Sequence, residues 1–137
     1  MITAYIDGGA RGNPGPAGYG VHVVDDRGNV LAEISEGIGY ATNNVAEYRG
    51  LLAALEWSLA SGHTRVHIKS DSLLLVQQIN GVYRIKHEGL IPLYRQARHL
   101  MARVGNVTLE HIRREQNTNA DRLSNVGMDQ NLPPKAS

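Results

Sequence analysis

The sequence predicts an α/β fold: a mixed five-stranded sheet in which three antiparallel strands come first, parallel crossovers follow, and helices flank the faces. Three observations lead there. Up to about residue 40, apolar and polar positions alternate in three runs, the mark of strands half buried in a sheet. A helical period then takes over from about residue 44. Beyond it, short alternating runs and amphipathic runs succeed one another, the pattern of parallel strands joined through helices.

The first run sets Ile2, Ala4 and Ile6 against Thr3, Tyr5 and Asp7, so a strand is expected to end on Asp7, where Gly8 and Gly9 give the backbone freedom to leave it. The stretch from Gly8 to Gly18 holds glycines and prolines that read as a tight loop rich in exposed N–H groups. Its glycines at 9, 12 and 15 miss the spacing of a dinucleotide-binding loop, and a strand follows where that loop needs a helix. Tyr19, Val21 and Val23 alternate with Gly20 and His22, residues 25–29 make a turn, and Val30, Ala32, Ile34 and Ile38 alternate again. The result is a meander of three strands.

Thr42, Asn43 and Asn44 offer capping side chains before a helix from about 44 to 61, with Val45, Tyr48, Leu52, Leu55 and Leu59 on one face. Arg65 to Ser70 reads as a strand, and Asp71-Ser72 caps a short helix that runs to Asn80-Gly81. A longer helix is expected from about Gly89 to Val104, with Leu93, Ala97, Leu100 and Val104 inward and Arg95, Arg98, His99 and Arg103 mostly outward. Val107 to Ile112 is the last strand and a final helix starts near Asn119. The tail from Asn131, with two prolines, is expected to be disordered or loosely docked.

At 137 residues and 42% hydrophobic content the chain fits one compact domain, assigned to residues 1–128, with 129–137 as a tail. No apolar run reaches the roughly 20 residues of a membrane span and no leader opens the chain, so the reading is a soluble, unprocessed monomer without membrane contact. The absence of cysteine excludes disulfides and thiolate metal sites and favours a cytoplasmic setting. Residues 1–64 carry three arginines against seven acids, a net −4, and residues 65–137 carry eleven basic residues against six acids, a net +5. The second half is the candidate polyanion-binding face.

If the first strand points up, the first helix, the fourth strand's end and the last helix's start all fall on one sheet edge. Four acids then gather there: Asp7, Glu47, Asp71 and Asp121. Each has a local explanation, since Asn44 to Glu47 and Thr118 to Asp121 read as capping boxes and Asp71 can cap its helix. Together they repel, and would take up protons unless a cation sits among them. Oxygen ligands without Cys or His point to Mg²⁺ or Mn²⁺. A pair of such ions about 3.5 to 4 Å apart can hold the attacking and leaving oxygens of an in-line displacement at phosphorus, which suits a phosphodiesterase.

The blocks YIDGGARGNPGPAGYG, ATNNVAEYRGLLAALE, IKSDSLLLVQQI and HIRREQNTNADRLSN, in this order, resemble type 1 ribonuclease H, and more closely its short archaeal-like and bacterial forms. The resemblance runs from Ile2 to about Met128. It implies a ribonuclease H-like fold and a metal-dependent endonuclease that cuts the RNA strand of RNA/DNA hybrids, leaving 5′-phosphate and 3′-hydroxyl ends. It also implies two ions: Asp7 bridging both, Asp121 sharing the nucleophile-side ion, Glu47 and Asp71 sharing the leaving-group ion. Asn13, Thr42, Asn43 and Asn44 match positions that hold the nucleic-acid backbone, with Thr42 and Asn43 reaching a phosphate of the DNA strand. Glu47 and the backbone from Gly9 through Arg11 to Gly12 match the part that senses ribose 2′-hydroxyls. Independently of any family, a helix N-terminus at Thr42 to Asn44 favours an anion, although capping competes for the same groups.

Three departures stand out. Many relatives carry a histidine in the loop before the last acid; here residues 113–120 hold none, leaving Arg114 or Glu115 as substitutes. His111 falls in the last strand and reads as structural. In place of a long basic, Trp-rich protrusion only Tyr83-Arg84-Ile85-Lys86-His87 remains, so grip is expected from Lys86 and its neighbours and from Arg95, Arg98 or Arg103, with affinity falling as salt rises. Leu73 stands where many relatives are polar. Two other readings stay open: a binding module for hybrids or double-stranded RNA without turnover, and a different two-metal nuclease of the same fold, such as a junction resolvase. Double-stranded RNA also stays open as an additional substrate.

Overall fold

The computed structural model describes residues 1–130, and the tail from Asn131 to Ser137 lies outside the described residues. Five strands, β1 (Ile2–Ala10), β2 (Gly15–Val24), β3 (Val30–Ala41), β4 (Arg65–Ser70) and β5 (Asn106–His111), form one sheet in the order β3-β2-β1-β4-β5. β1, β2 and β3 pair antiparallel, while β4 pairs parallel with β1 and β5 parallel with β4. Four α-helices accompany them: α1 (Asn43–Ala60), α2 (Leu73–Ile79), α3 (Ile91–Val104) and α4 (Thr118–Asp129). Short 3₁₀ turns precede α3 at Glu88–Leu90 and α4 at Arg114–Gln116. Among the described residues no helix is long and apolar enough to cross a membrane.

The core lies between one sheet face and α1 and α3. Ile2, Ala4 and Ile6 of β1, Val21 and Val23 of β2, and Val66 and Ile68 of β4 meet Tyr48, Leu51, Leu52 and Leu55 of α1 and Ala97, Leu100 and Val104 of α3. α1 is buried more widely than a single stripe, adding Leu51 and Ala54 to the expected face, because the sheet covers one side of it and α3 another. α4 packs on the opposite sheet face, over β1, β2 and β3.

Two expectations are corrected. β1 does not end on Asp7 but continues through Gly8, Gly9 and Ala10, which pair with Tyr19, Gly18 and Ala17. The Gly8 to Gly18 loop shrinks to residues 11–14, closed by the Arg11 N–H donating to the Pro16 carbonyl at 2.8 Å. The reason is non-local: β2 offers a full ladder on one side, so glycine's poor strand propensity is overridden there. On β1's other side the ladder with β4 stops at Ile6 opposite Ser70. Asp7 is therefore the first residue past the end of its parallel neighbour, which keeps it at the sheet's functional edge.

Candidate active site

Each acid reaches the edge by a different local device. Asp7 follows from the alternation of β1, which turns it to the face opposite Ile6, toward α4. Glu47 sits in α1, whose N-cap is Thr42: the Val45 N–H donates to Thr42 Oγ1 at 3.3 Å. Asp71 occupies the residue between the end of β4 and Ser72, whose hydroxyl accepts the Leu75 N–H at 3.2 Å and caps α2. Asp121 lies in the first turn of α4, which has Asn117 as N-cap with no side-chain capping bond. The capping-box reading of Asn44–Glu47 and of Thr118–Asp121 is thus overturned, since Asn44 and Thr118 are already inside their helices. Capping is done by Thr42 and Ser72, and the acids are free to face one another.

Gly8 makes that meeting possible. A Cβ built on it would stand 2.3 Å from the Ala46 carbonyl carbon and 2.5 Å from the Glu47 nitrogen. The α1 backbone therefore lies directly on β1 beside Asp7. Gly20 does the same for α4, where a Cβ would come within 2.5 Å of Leu123 Cβ and of the Ser124 nitrogen. Gly8 serves close approach of a helix, in place of the chain break expected from it.

One carboxylate oxygen each of Asp7, Glu47 and Asp71 fall within 4.8 Å of one another. Asp121 is outside that trio but adjacent to Asp7, with which its side chain interacts. Burial first, then the charges of Asp71 and Asp121, push the Asp7 carboxyl up to about 7, against the pull of the Gly8 N–H that donates to Asp7 Oδ1 at 3.0 Å. Glu47 is raised well above the ordinary carboxylate range by burial and by Asp7 and Asp71. Its Oε2 is buried with no hydrogen-bond partner among the described residues. An orphaned buried carboxylate oxygen among like charges is costly unless a proton or a cation completes it.

The acids open into a cleft of about 550 Å³ lined also by Gly8, Gly9, Ala10, Asn43, Asn44, Ser72, Arg114, Ser124, Asn125 and Met128. Of the expected backbone-contacting residues, Gly9, Asn43 and Asn44 line it. Asn43 Oδ1 accepts the Ala10 N–H at 2.7 Å and the Asn43 N–H donates to Asn13 Oδ1 at 3.0 Å. This pair of bonds ties the start of α1 to the 11–14 loop. Arg11 pairs with Asp129 at 2.7 Å, at the far end of α4, and Gly12 turns the loop at φ 89°. Lys86 is apart from the acids, in a neighbouring groove of about 510 Å³ shared with Leu74, Val82, Tyr83, Arg84 and His87. Asn44 lines both concavities, which are therefore neighbours.

Arg114 borders the acid cleft, whereas Glu115 and His111 do not. Three residues of the site had no sequence signal assigned to them. Ser124 Oγ lies 3.3 Å from Asp7 Oδ2 and 2.8 Å from the Asp121 carbonyl. Asn125 Nδ2 donates to the Asp121 carbonyl at 2.9 Å. Asn117 is buried, and its Nδ2 donates to the Ile6 carbonyl at 2.9 Å. Their spacing from Asp121 is the only local hint: positions 117, 121 and 124 share one helix face.

Residues 5–127 match the family described as reverse transcriptase-like. The chain is 38% identical over 128 residues to ribonuclease HI of Halobacterium salinarum, covering 93% of this chain and 64% of that protein. It is 49% identical over 129 residues to a bifunctional protein of Mycobacterium tuberculosis, covering 93% of this chain and 35% of that protein. The chain thus spans about a third of the length of that mycobacterial relative. The N-terminal ribonuclease H domain of the mycobacterial protein, solved as a fusion, superposes with a TM-score of 0.89 at 46% identity, over 93% of this chain and 98% of that one. LC11 ribonuclease H1, solved in complex with an RNA/DNA hybrid, gives 0.91 at 45% identity, over 97% and 100% of the two chains.

Proposed function

The chain belongs to the ribonuclease H family, and from that premise we propose that it is a metal-dependent endoribonuclease that hydrolyses the RNA strand of RNA/DNA hybrids to 5′-phosphate and 3′-hydroxyl ends. The observation that carries the reading is the buried, unpartnered Glu47 Oε2 within a trio of carboxylates lying within 4.8 Å of one another. A binding module has no use for such a cluster. A hard divalent cation fits it, because every available donor is a carboxylate oxygen.

The catalytic and metal-holding residues of this reading are Asp7, Glu47, Asp71 and Asp121. Asp7 belongs to both halves of the arrangement, with Glu47 and Asp71 on one side and Asp121 on the other, which supports a two-ion scheme. Two bound Mg²⁺ or Mn²⁺ ions supply positive charge for the attacking and leaving oxygens of an in-line displacement at phosphorus.

The chain's own residues do the rest. The Gly8 N–H favours the ionised form of Asp7, and Ser124 Oγ orients its other oxygen. The N-terminus of α1, where the Asn43 N–H is already engaged by Asn13, presents its positive dipole end and the side chains of Thr42, Asn43 and Asn44 to a phosphate of the DNA strand. Glu47 and the backbone from Gly9 through Arg11 to Gly12 sense the ribose 2′-hydroxyls that separate RNA from DNA, while Asn13 helps to hold the nucleic-acid backbone. Lys86 and its neighbours hold the backbone farther along the groove. Arg114, the one basic side chain lining the acid cleft among the described residues, stands where the family's loop histidine is missing. Action as a monomer, with residues 1–128 as the catalytic domain, belongs to the same proposal.

The test is cleavage of one end-labelled sequence presented as hybrid, duplex RNA, duplex DNA and single strands, with Mg²⁺, with Mn²⁺ and with chelator. Metal-requiring cleavage of the hybrid's RNA strand, sparing DNA, is expected. Hybrid that is bound but never cut would make the protein a binding module, and cleavage of DNA would favour another nuclease of the fold. Cutting of duplex RNA in the same series would widen the substrate class.

A further inference from the structure

Asn117 is buried to 1% exposure, sits four residues before Asp121, and has no capping role for its side chain. Its Nδ2 instead crosses to β1 and donates to the carbonyl of Ile6, the residue immediately before Asp7. That acceptor also settles the amide's orientation, since only the nitrogen can meet a carbonyl. On the backbone side, the Asn117 carbonyl accepts the Asp121 N–H at 3.0 Å. One residue therefore holds the backbone beside Asp7 with its side chain and the backbone of Asp121 with its main chain.

The other end of the amide is the informative part. Asn117 Oδ1 is buried and has no hydrogen-bond partner among the described residues. Leaving it so costs roughly what a net hydrogen bond gains, so the side chain contributes little to stability by itself. What it does contribute is geometry. Asn117, Asp121 and Ser124 fall on one face of α4, with Asn117 bonded beside Asp7 and Ser124 bonded to Asp7 itself. Asp121 is held between two attachments to the same short piece of β1.

We propose that Asn117 is a positioning residue that sets the spacing of Asp7 and Asp121, and so completes the metal site that the Asp7, Glu47 and Asp71 trio leaves open on one side. The proposal rests on the metal-dependent reading above. Asn117 touches neither substrate nor ion in this role; it acts through Asp121.

Asn117→Ser separates the tether from helix capping, because serine caps well but is too short to replace the amide's reach to Ile6. Mn²⁺ binding is measured by calorimetry on the wild type, Asn117→Ser, Asp121→Asn and the double variant, with thermal unfolding and hybrid binding in chelator alongside. Expected for Asn117→Ser are a roughly tenfold weaker Mn²⁺ affinity, the factor one well-placed buried hydrogen bond is worth, with hybrid binding in chelator unchanged. In the Asp121→Asn background the same substitution is expected to change Mn²⁺ affinity less than twofold, as a residue acting through Asp121 must. Unchanged affinity in the single variant, or an equal loss in both backgrounds, overturns the proposal. If Asn117→Ser does not fold, Asn117→Leu keeps the approximate shape with neither donor nor charge and is read the same way. A wild type that binds no Mn²⁺ would instead sink the metal-dependent reading itself.

Discussion

Replacing Asp7 by Asn is expected to stabilise the metal-free protein while destroying the metal site. Burial, Asp71 and Asp121 push the Asp7 carboxyl from 3.8 to about 7. A group whose folded-state value is raised contributes stability that is complete below its unfolded value and is lost as pH rises through the folded one. For Asp7 the window runs from about 4 to about 7, and the whole difference corresponds to about 4 kcal/mol. At pH 8 the metal-free protein must hold this carboxylate ionised against its neighbours. The amide introduced by Asp7→Asn would carry no charge, and its Oδ1 could still accept the Gly8 N–H.

The assay is thermal unfolding in chelator from pH 5 to pH 8.5, wild type against Asp7→Asn. At roughly 3 °C per kcal/mol for a domain of this size, the variant should melt about 10 °C higher at pH 8, with the gap narrowing to less than half as pH falls to 5. Asp25, Glu33 and Glu110 are held below the usual carboxylate range by hydrogen bonds from Asn29, His22 and His67, and their loss in acid cancels in the comparison. With saturating Mg²⁺ the order should reverse, because the wild type alone gains binding energy. Cleavage by the variant should be lost and hybrid binding kept. A variant no more stable than wild type at pH 8, or a gap that ignores pH, would refute the claim that Asp7 is electrostatically strained without metal.

Other outcomes follow from the same geometry. Thr42→Ala with Asn43→Ala removes a cap worth about 1 kcal/mol and the bond to the Ala10 N–H; equilibrium binding should nonetheless show a loss of hybrid affinity larger than the loss of stability, and unchanged affinity would return the segment to simple capping. Gly8→Ala forces a methyl into the α1 backbone and should cost about 3 kcal/mol or more, whereas Gly9→Ala meets only the flexible end of Met128 at 3.2 Å and should be tolerated; equal melting temperatures for the two would contradict the contact. Lys86→Ala should weaken hybrid binding evenly across sequences and reduce the dependence of log affinity on log salt by about one ion, which a titration in KCl measures.

The elements were legible because periodicity is a local property, and the edge they share was legible because chain direction follows from their order. Asp7, Glu47, Asp71 and Asp121 could be placed together on that basis alone. The errors share a cause. That β1 runs on through Gly8 to Ala10 depends on the ladder offered by β2, and no residue within β1 announces it. Whether Glu47 turns back to cap α1 or inward to Asp7 depends on how closely α1 lies on Gly8, which is a matter of contact and not of spacing.

Asn117 and Ser124 carry no signal in the sequence for the same physical reason. Their partners, Ile6 and Asp7, lie 111 and 117 residues away, so their side-chain types carry no local message beyond a polar helix face. Yet these bonds decide how the fourth carboxylate stands to the first. Four acids on one edge are enough to suggest a cation. Whether they meet at ligand distances is settled by two glycines that let helices approach and by two buried polar side chains that stop α4 from sliding. Within the sequence Gly8 reads as the place where a strand ends, Gly20 as an ordinary strand position, and Asn117 carries no signal at all. The chemistry of such a site is therefore visible in its charged residues, while its geometry resides in uncharged ones whose meaning appears only when distant segments touch.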